Sequence, residues 1–203
     1  MESSKPILFT VGHSVHPIDH FIDILKKNGI EAIADVRSSP YSKFTPQFNR
    51  EPIKKTLQGH GIRYVFLGDE LGARRSELEC YESNKVIYSK VADFPSFRSG
   101  ISRLREGTEK MRVAIMCAEK DPLTCHRTVL VAHFSRDQFS DTLHILEDGS
   151  IESRADADLR LLREYKLEKE DFFSPYKDRL NLAYSKRAEK IAYEEHDEQI
   201  AYG

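Results

Sequence analysis

Residues 113–127 of this chain read VAIMCAEKDPLTCHR, and this stretch decides the fold. The apolar run at 113–116 predicts a buried strand, the polar residues after it a short loop, and the amphipathic residues 128–134 a helix. Cys117 lies at the end of the predicted strand and Cys125 at the start of the predicted helix. A helix N-terminus carries unpaired N–H groups and the positive end of the helix dipole, so it favours bound anions and lowers the pKa of a thiol.

Strand and helix patterns alternate along the rest of the chain. Further apolar runs predict strands at 7–11, 30–36, 63–67 and 142–146. Apolar residues at helical spacing predict helices after Pro17, at 51–58, from Asp93 to Gly107 and at 156–165, whereas residues 76–93 show no clear period. The alternation predicts an α/β fold, a three-layer sandwich with a largely parallel sheet. We expect this domain to cover residues 1–167, and residues 168–203 to form a charged C-terminal helical extension that packs partly on it.

The composition argues against several classes of protein. The net charge of −2 gives no overall attraction to nucleic acid or membrane, so a nucleic-acid site would have to be a local basic patch. No apolar stretch approaches the roughly 20 residues that span a bilayer, and the first residues do not resemble a signal peptide. An odd number of cysteines, three, argues against a disulfide scaffold, and we expect a cytoplasmic protein.

Polar residues follow four of the predicted strands. His13 and Ser14 follow the first, Asp35 and Arg37 the second, Asp69-Glu70 the third, and residues 117–127 the fourth. The carboxyl ends of parallel strands meet at one edge of a sheet, where ligands of such folds bind. The sequence therefore predicts a site at this edge.

Several motifs together carry a resemblance to a known family. They are Thr10-Val-Gly-His-Ser14, Asp35-Val-Arg37 with Pro40, Ser42 and Phe44, Tyr64, Leu67-Gly68, Leu71-Gly72, Cys117-Ala-Glu119, Pro122, Cys125-His-Arg127, His144-Ile-Leu146, Asp148-Gly149, Ala183-Tyr184 and Ile191-Ala-Tyr193. With these motifs the chain resembles the bacterial and archaeal family catalogued as domain of unknown function number 488. Ala73 departs from the second glycine that usually follows Leu71 in the family. The resemblance implies a single α/β domain in which these positions belong together, and it names no substrate.

The leading hypothesis is an enzyme that holds an anionic ligand, such as a phosphate-bearing nucleotide or a nucleic-acid end, at this edge. Cys125 is the predicted nucleophile or thiolate ligand, because a helix start and neighbouring cations stabilise a thiolate. Asp35 and His13 are expected to orient groups or transfer protons. The predicted binding residues are Ser14, Arg37, Lys43, Arg74, Cys117, Glu119, His126 and Arg127. For the arginines the alternative is a structural ion pair, Asp35 with Arg37 or Glu119 with Arg127.

Two other functions stay open. The first is a metalloprotein that uses Cys117, Cys125 and a histidine, although a single cysteine pair at this spacing is not a usual structural zinc pattern. The second is a non-catalytic nucleic-acid-binding module, in which aromatic residues 41, 44 and 48 stack on bases beside basic loops. The sequence identifies neither a cofactor nor a reaction type nor an oligomeric state.

Overall fold

The computed structural model describes residues 5–169 and 174–194, and its centre is a six-stranded sheet. The strands of this sheet are β1 (Ile7–Gly12), β2 (Ala32–Asp35), β3 (Arg63–Phe66), β6 (Val113–Cys117), β7 (Asp141–Ile145) and β8 (Ile151–Ser153). A separate short hairpin consists of β4 (Tyr81–Glu82) and β5 (Lys85–Val86). The main sheet has the order β3-β2-β6-β1-β7-β8, and every pair is parallel except β7 with β8.

Helices cover both faces of this sheet. They are α1 (Ile18–Lys27), α2 (Arg50–Gly59), α3 (Gly68–Leu71), α4 (Tyr88–Asp93), α5 (Pro95–Thr108), α6 (Arg154–Glu164) and α7 (Tyr176–Ile191). A further helical segment spans residues 126–134 and is a π-helix over Arg127–Ala132. Short 3₁₀ turns occur at Pro46–Phe48, Leu78–Cys80 and Pro122–Thr124.

Two hydrophobic cores separate the layers. On one face, buried residues of α1 and α2 such as Phe21, Leu25 and Leu57 pack on the sheet. On the other face, α5, the segment 126–134, α6 and α7 pack on it, with Leu104 and Leu161 among the buried residues. These two cores confirm the predicted three-layer α/β sandwich with a largely parallel sheet.

The order of the strands creates a crevice at the carboxyl edge. The connection from β1 to β2 passes over β6 and carries α1, whereas the connection from β6 to β7 passes over β1 and carries the segment 126–134. These connections lie on opposite faces, because α1 and the segment 126–134 belong to different cores. Ligands of doubly wound sheets bind at the carboxyl edge where connections leave neighbouring strands for opposite faces.

The structure adds elements that the sequence patterns did not predict. Strand β8 completes a hairpin around the predicted turn at Asp148-Gly149, and the region 76–93 contains β4, β5 and α4. In the predicted extension, α7 buries Leu180, Ala183 and Tyr184 in the same core as α6. The boundary after residue 167 stays a prediction, and residues 170–173 and 195–203 of the extension lie outside the described ranges. No helix within those ranges has both the length and the apolar character needed to cross a membrane.

Leucines in the two layers provide a test of this packing. Leu25 of α1 has no exposed surface, whereas Leu182 of α7 is 45% exposed. We expect Leu25→Ala to lower the free energy of unfolding by about 2–5 kcal/mol, because it leaves a cavity between α1 and the sheet. Leu182→Ala, the matched control, should cost less than about 1 kcal/mol. Urea denaturation measures both, and equal losses would contradict the assigned layers.

Candidate functional site

The carboxyl ends of β1, β2 and β6 meet as the sequence predicted. Gly12 of β1 is paired in register with Cys117 of β6, and Asp35 of β2 with Met116. Past the strand ends, the N–H of His13 donates to the carbonyl of Cys117 at 2.9 Å. The N–H of Ser14 donates to the carbonyl of Ala118 at 2.8 Å, so the chain after β1 remains tied to the loop after β6.

Two sulfur atoms, a carboxylate and an imidazole come together at this edge. Oε2 of Glu119 lies 3.0 Å from Sγ of Cys117 and 3.0 Å from Sγ of Cys125. Nδ1 of His126 lies 3.5 Å from Sγ of Cys117, and the ligating atoms of Cys117, Cys125 and His126 all lie within 4.8 Å of one another. The cysteines and His126 are buried, whereas Glu119 as a residue is exposed and its side chain reaches in from the surface. We call these four residues the sulfur cluster.

Cys125 is the residue that precedes the helix, rather than part of its first turn as the sequence suggested. Its backbone is extended, with φ −132° and ψ 142°, and its carbonyl accepts the N–H groups of Thr128 and Val129. The N–H of Arg127 points to Sγ of Cys125 at 3.4 Å. The thiol therefore occupies the position of a helix N-cap side chain, where an acceptor satisfies a free N–H group.

Charges are distributed unequally over the sulfur cluster. Burial opposes ionisation of Cys125, but the hydrogen bond from Cys117 and the charges of Arg127 and His126 outweigh it and hold the pKa of Cys125 well below its usual value. Burial and the bond to Cys125 keep the pKa of Cys117 well above its usual value. Burial of the carboxyl group and the charge of Cys125 raise the pKa of Glu119. Cys125 is therefore the thiol of the pair that ionises first, with Cys117 as its hydrogen-bond donor, and the carboxyl group of Glu119 holds its proton more strongly than a free glutamate does.

His126 supports the ionisation of Cys125 from the other side. Its Nε2 donates to the carbonyl of Val36 at 2.9 Å, which leaves Nδ1 facing the sulfur atoms. Burial opposes the charged form of the ring, yet the hydrogen bond to Cys125 and its negative charge raise the pKa of His126. A thiolate and an imidazolium stabilise each other in this arrangement.

Arg127 holds the loop between the two cysteines. It is fully buried and donates from Nη1 to the carbonyl of Glu119 at 2.6 Å and from Nη2 to the carbonyl of Lys120 at 3.1 Å. The loop approaches β1 so closely that a Cβ atom at Gly12 would lie 1.9 Å from the carbonyl oxygen of Glu119. Only glycine therefore permits this approach, and Arg127 shapes the loop through the backbone of Glu119 instead of pairing with its carboxylate.

A second polar network lies beside the sulfur cluster. Arg37 donates to Asp35 from Nε at 2.9 Å and from Nη2 at 2.6 Å, and the hydroxyl of Tyr64 donates to Asp35 at 2.8 Å. Nη1 of Arg37 contacts Nε2 of His13 at 3.1 Å, and Nη2 also donates to the carbonyl of Phe48. The alternative interpretation of Arg37, a structural pair with Asp35, is therefore the one the geometry favours.

His13 belongs to this second network. Its Nε2 accepts from Arg37, its Nδ1 lies 2.9 Å from the carbonyl of Ser14, and its ring stacks on Phe48 at 4.3 Å. Burial and the charge of Arg37 lower the pKa of His13 to about 4. Both ring nitrogens are thus engaged by the neutral form, which suits orientation better than proton transfer near neutral pH.

The remaining predicted residues lie at or near the same edge. Ser14 is half-buried and has a positive φ of 47°, while Lys43 and Arg74 are exposed. The guanidinium of Arg74 lies 4.6 Å from the ring of Tyr193, and the backbone N–H of Arg74 donates to Oγ of Ser38 at 2.9 Å. Phe48 is fully buried, so it cannot stack on a base as one hypothesis required.

Two residues that matter for the site were not singled out as functional from the sequence. Tyr64 completes the network of Asp35 and appeared only as part of the family motif. Tyr88 of α4 is buried, and burial together with the charges of Cys125, Cys117 and Glu119 raises its pKa. It comes from the region without a clear period, so no pattern in the sequence could place it.

Of two concave surfaces, one is lined by a member of the sulfur cluster. A cleft of about 1240 Å³ is lined by Glu119, His16, His20 and Arg160, among others. A groove of about 910 Å³ between the β4–β5 hairpin, the segment 126–134 and α7 is lined by Tyr88 and Val129. Glu119 therefore connects the buried sulfur atoms to an open cleft.

Comparison with models of protein families identifies the family of this chain. The model described as Domain of unknown function DUF488 matches residues 17–134, more than half of the chain. The chain belongs to the DUF488 family. The matched range includes Asp35, Arg37 and the whole sulfur cluster, and it ends before β7. No curated protein and no solved structure matches the chain.

The buried pair of Asp35 and Arg37 gives a prediction about stability. Asp35 has no exposed surface, so Asp35→Asn leaves the Arg37 guanidinium buried without a counter-charge, and we expect a loss of about 3–5 kcal/mol in the free energy of unfolding. Asp93→Asn is the matched control, because Asp93 pairs with Arg98 on the surface and should cost at most about 1 kcal/mol. Thermal and urea denaturation measure both variants. Equal, small losses would mean that the pair with Arg37 does not hold the carboxyl edge together.

Proposed function

We propose that this DUF488 protein is an enzyme that uses the Cys125 thiolate as a nucleophile on an anionic, phosphate-bearing substrate bound at the carboxyl edge of the sheet. The observation that carries the proposal is the convergence of Cys117, Glu119 and His126 on the sulfur of Cys125. Cysteine nucleophiles are recognised by such neighbours, which favour the thiolate and supply a proton donor. The unpaired state of all three cysteines and the lack of a membrane-spanning helix in the described ranges fit the cytoplasmic location that we propose with it.

Each residue has a chemical task in this proposal. Sγ of Cys125 forms a bond to the electrophilic atom of the substrate, and the bond to the leaving group breaks with its electron pair. We propose that the carboxyl group of Glu119 is protonated when the substrate binds. It lies 3.0 Å from Sγ and gives its proton to that leaving group. The resulting Glu119 carboxylate then takes a proton from the water that hydrolyses the covalent intermediate and releases Cys125.

Substrate access runs past Glu119. Cys125 is 1% exposed, whereas Glu119 lines the cleft, and in this proposal a rotation of the Glu119 side chain opens the path from the cleft to the sulfur atom. Arg37 and Arg127 are engaged inside the protein and act as positioning residues. Lys43, Arg74 and Ser14 do not line this cleft, and their contacts with the anion stay a prediction from the sequence. Asp35 and His13 hold Arg37 and the loops in place.

Alkylation of the three cysteines at varied pH tests the nucleophile. We expect iodoacetamide to modify Cys125 in the folded, chelator-treated protein with an apparent pKa well below about 8.5. Cys117 should react only on unfolding, because its pKa is raised and it is buried. Mass spectrometry of the peptides identifies the modified residue.

Two matched variants test whether the sulfur cluster, and not burial alone, sets the pKa of Cys125. Cys117→Ala removes a hydrogen-bond donor to the thiolate and should raise the apparent pKa of Cys125 by about one unit. Cys80→Ala, at another buried cysteine outside the cluster, should leave it unchanged. A Cys125 that reacts only in denaturant would rule out the proposed nucleophile. A Cys125 that reacts at the same pH in both variants would rule out the contribution of Cys117 to its pKa.

A metal centre is the second candidate, favoured by the three ligand atoms of Cys117, Cys125 and His126 within 4.8 Å. With Glu119 they form a set of sulfur, nitrogen and oxygen donors that suits zinc chemically. The sulfur–oxygen separations of 3.0 Å are hydrogen-bond distances, shorter than the roughly 3.5 Å between ligands of a tetrahedral zinc ion. These distances suit Glu119 as a hydrogen-bonding partner of the sulfur atoms better than as a fourth zinc ligand, whereas the 3.5 Å between Nδ1 of His126 and Sγ of Cys117 suits two ligands of one zinc ion.

Metal analysis decides between the two candidates. For the thiol centre we expect purified protein to contain well under one equivalent of transition metal, with thiol reactivity that a chelator does not change. The Cys80→Ala variant serves as the control for cysteine content. One equivalent of zinc that survives purification, that is lost in Cys125→Ala and that protects Cys125 from alkylation would establish the metal centre instead.

A further inference from the structure

The loop after β2 presents aromatic rings to solvent. Phe44 is 94% exposed, the highest exposure of any large apolar residue in the part of the chain that the structure describes, and Tyr41 is 67% exposed. The exposed Lys43 lies between them in the sequence. Folding removes little of the surface of these two rings from water, so their burial does not stabilise the fold. Exposed apolar groups of this kind indicate a binding surface.

The loop is ordered by its own hydrogen bonds. The N–H of Ser42 donates to Oδ1 of Asn49 at 2.7 Å, and Oγ of Ser42 accepts the N–H groups of Phe44 at 3.1 Å and Thr45 at 3.3 Å. The inner side of the loop is anchored by Phe48, which is fully buried against His13. The backbone that carries the exposed rings is therefore held in one conformation. Less conformational entropy is lost when a partner binds to such a loop.

The charged side chain of the loop itself is positive. Residues 36–50 contain no aspartate or glutamate although the whole chain has more acidic than basic residues. Of their three cations, Arg37 is buried against Asp35 and Arg50 lies over the ring of Phe66, so Lys43 is the exposed one. The hydrogen bond from the Arg74 N–H to Ser38 places a further exposed arginine beside the start of the loop. Aromatic side chains next to cations suit a ligand that has both negative phosphates and flat aromatic bases.

We propose that this loop, residues 38–45 with Arg74, binds single-stranded nucleic acid, with bases stacked on Phe44 and Tyr41 and phosphates paired with Lys43 and Arg74. Duplex bases are already stacked on each other and cannot stack on these rings, so the single-stranded form is favoured. An apolar protein partner would bury Lys43 without a counter-charge, which is unfavourable. The inference names the ligand class for the carboxyl edge and in this respect rests on the proposed function.

Binding is measured on the Cys125→Ser variant, so that no covalent step contributes. Fluorescence anisotropy uses labelled oligothymidylate and oligouridylate, with a duplex of mixed sequence for comparison. We expect single strands to bind more tightly than duplex, with affinity that falls as salt rises. Phe44→Ala should weaken binding about tenfold, because one stacking contact is lost. Lys43→Ala should reduce the salt slope by about one.

Matched controls keep the result interpretable. Phe134→Ala removes another partly exposed phenylalanine, 38% exposed on the segment 126–134, and should leave binding unchanged. Phe44→Ala should not lower the unfolding midpoint, because Phe44 packs against almost nothing. The proposal is overturned if single strands do not bind, or if Phe44→Ala and Phe134→Ala bind equally well. It is also overturned if sedimentation shows a dimer of this chain that Phe44→Ala dissociates, because the ring then covers a second copy.

The two proposals fail in different ways. Oligonucleotide binding that persists while Cys125 proves unreactive leaves the loop as a binding surface and removes the nucleophile. A reactive Cys125 without oligonucleotide binding keeps the nucleophile and directs the search to a small phosphate-bearing substrate.

Discussion

The buried guanidinium of Arg127 determines the shape of the site. It holds the carbonyls of Glu119 and Lys120, and through them it turns the loop between β6 and the next helix toward β1. That turn is possible only because Gly12 has no side chain. With the loop in this position, the carboxyl group of Glu119 reaches the sulfur atoms of both cysteines. An arginine that the sequence suggested for ligand binding is thus the residue that builds the cluster.

The two polar networks at the carboxyl edge have separate tasks. Asp35, Arg37, Tyr64 and His13 satisfy one another almost completely, as a buried ion pair must if it is not to destabilise the fold. The sulfur cluster differs, because its members lower the pKa of Cys125 while the pKa values of Cys117 and Glu119 are raised. Groups whose pKa values are driven apart in this way are typical of sites that transfer protons or form covalent bonds.

The layers of the fold could be predicted from local patterns, because buried strands and amphipathic helices have distinct periods. The prediction that the strand ends lie together followed from the parallel strands alone. It identified the edge of the sheet that carries Cys117, Glu119, Cys125 and His126. The sequence offered the pair of Asp35 with Arg37 as an alternative, and the structure contains it. The partners of Arg127 could not be predicted, since they are backbone carbonyls, which exist at every residue. Tyr88 and the buried face of Phe48 depend on long-range packing of segments without a clear period, so the sequence indicated neither. The π-helix over Arg127–Ala132 reads as an ordinary helix in its sequence.

The charge state of Cys125 is the central claim, and the ultraviolet absorbance of thiolate measures it without any reagent. The account predicts one equivalent of thiolate in the folded protein at neutral pH, present in Cys80→Ser and absent in Cys125→Ser. It also predicts that this absorbance disappears only as the pH falls well below the usual cysteine value of about 8.5. If folded protein shows no thiolate until the pH exceeds that value, Cys125 is an ordinary buried thiol and the cluster is part of the core.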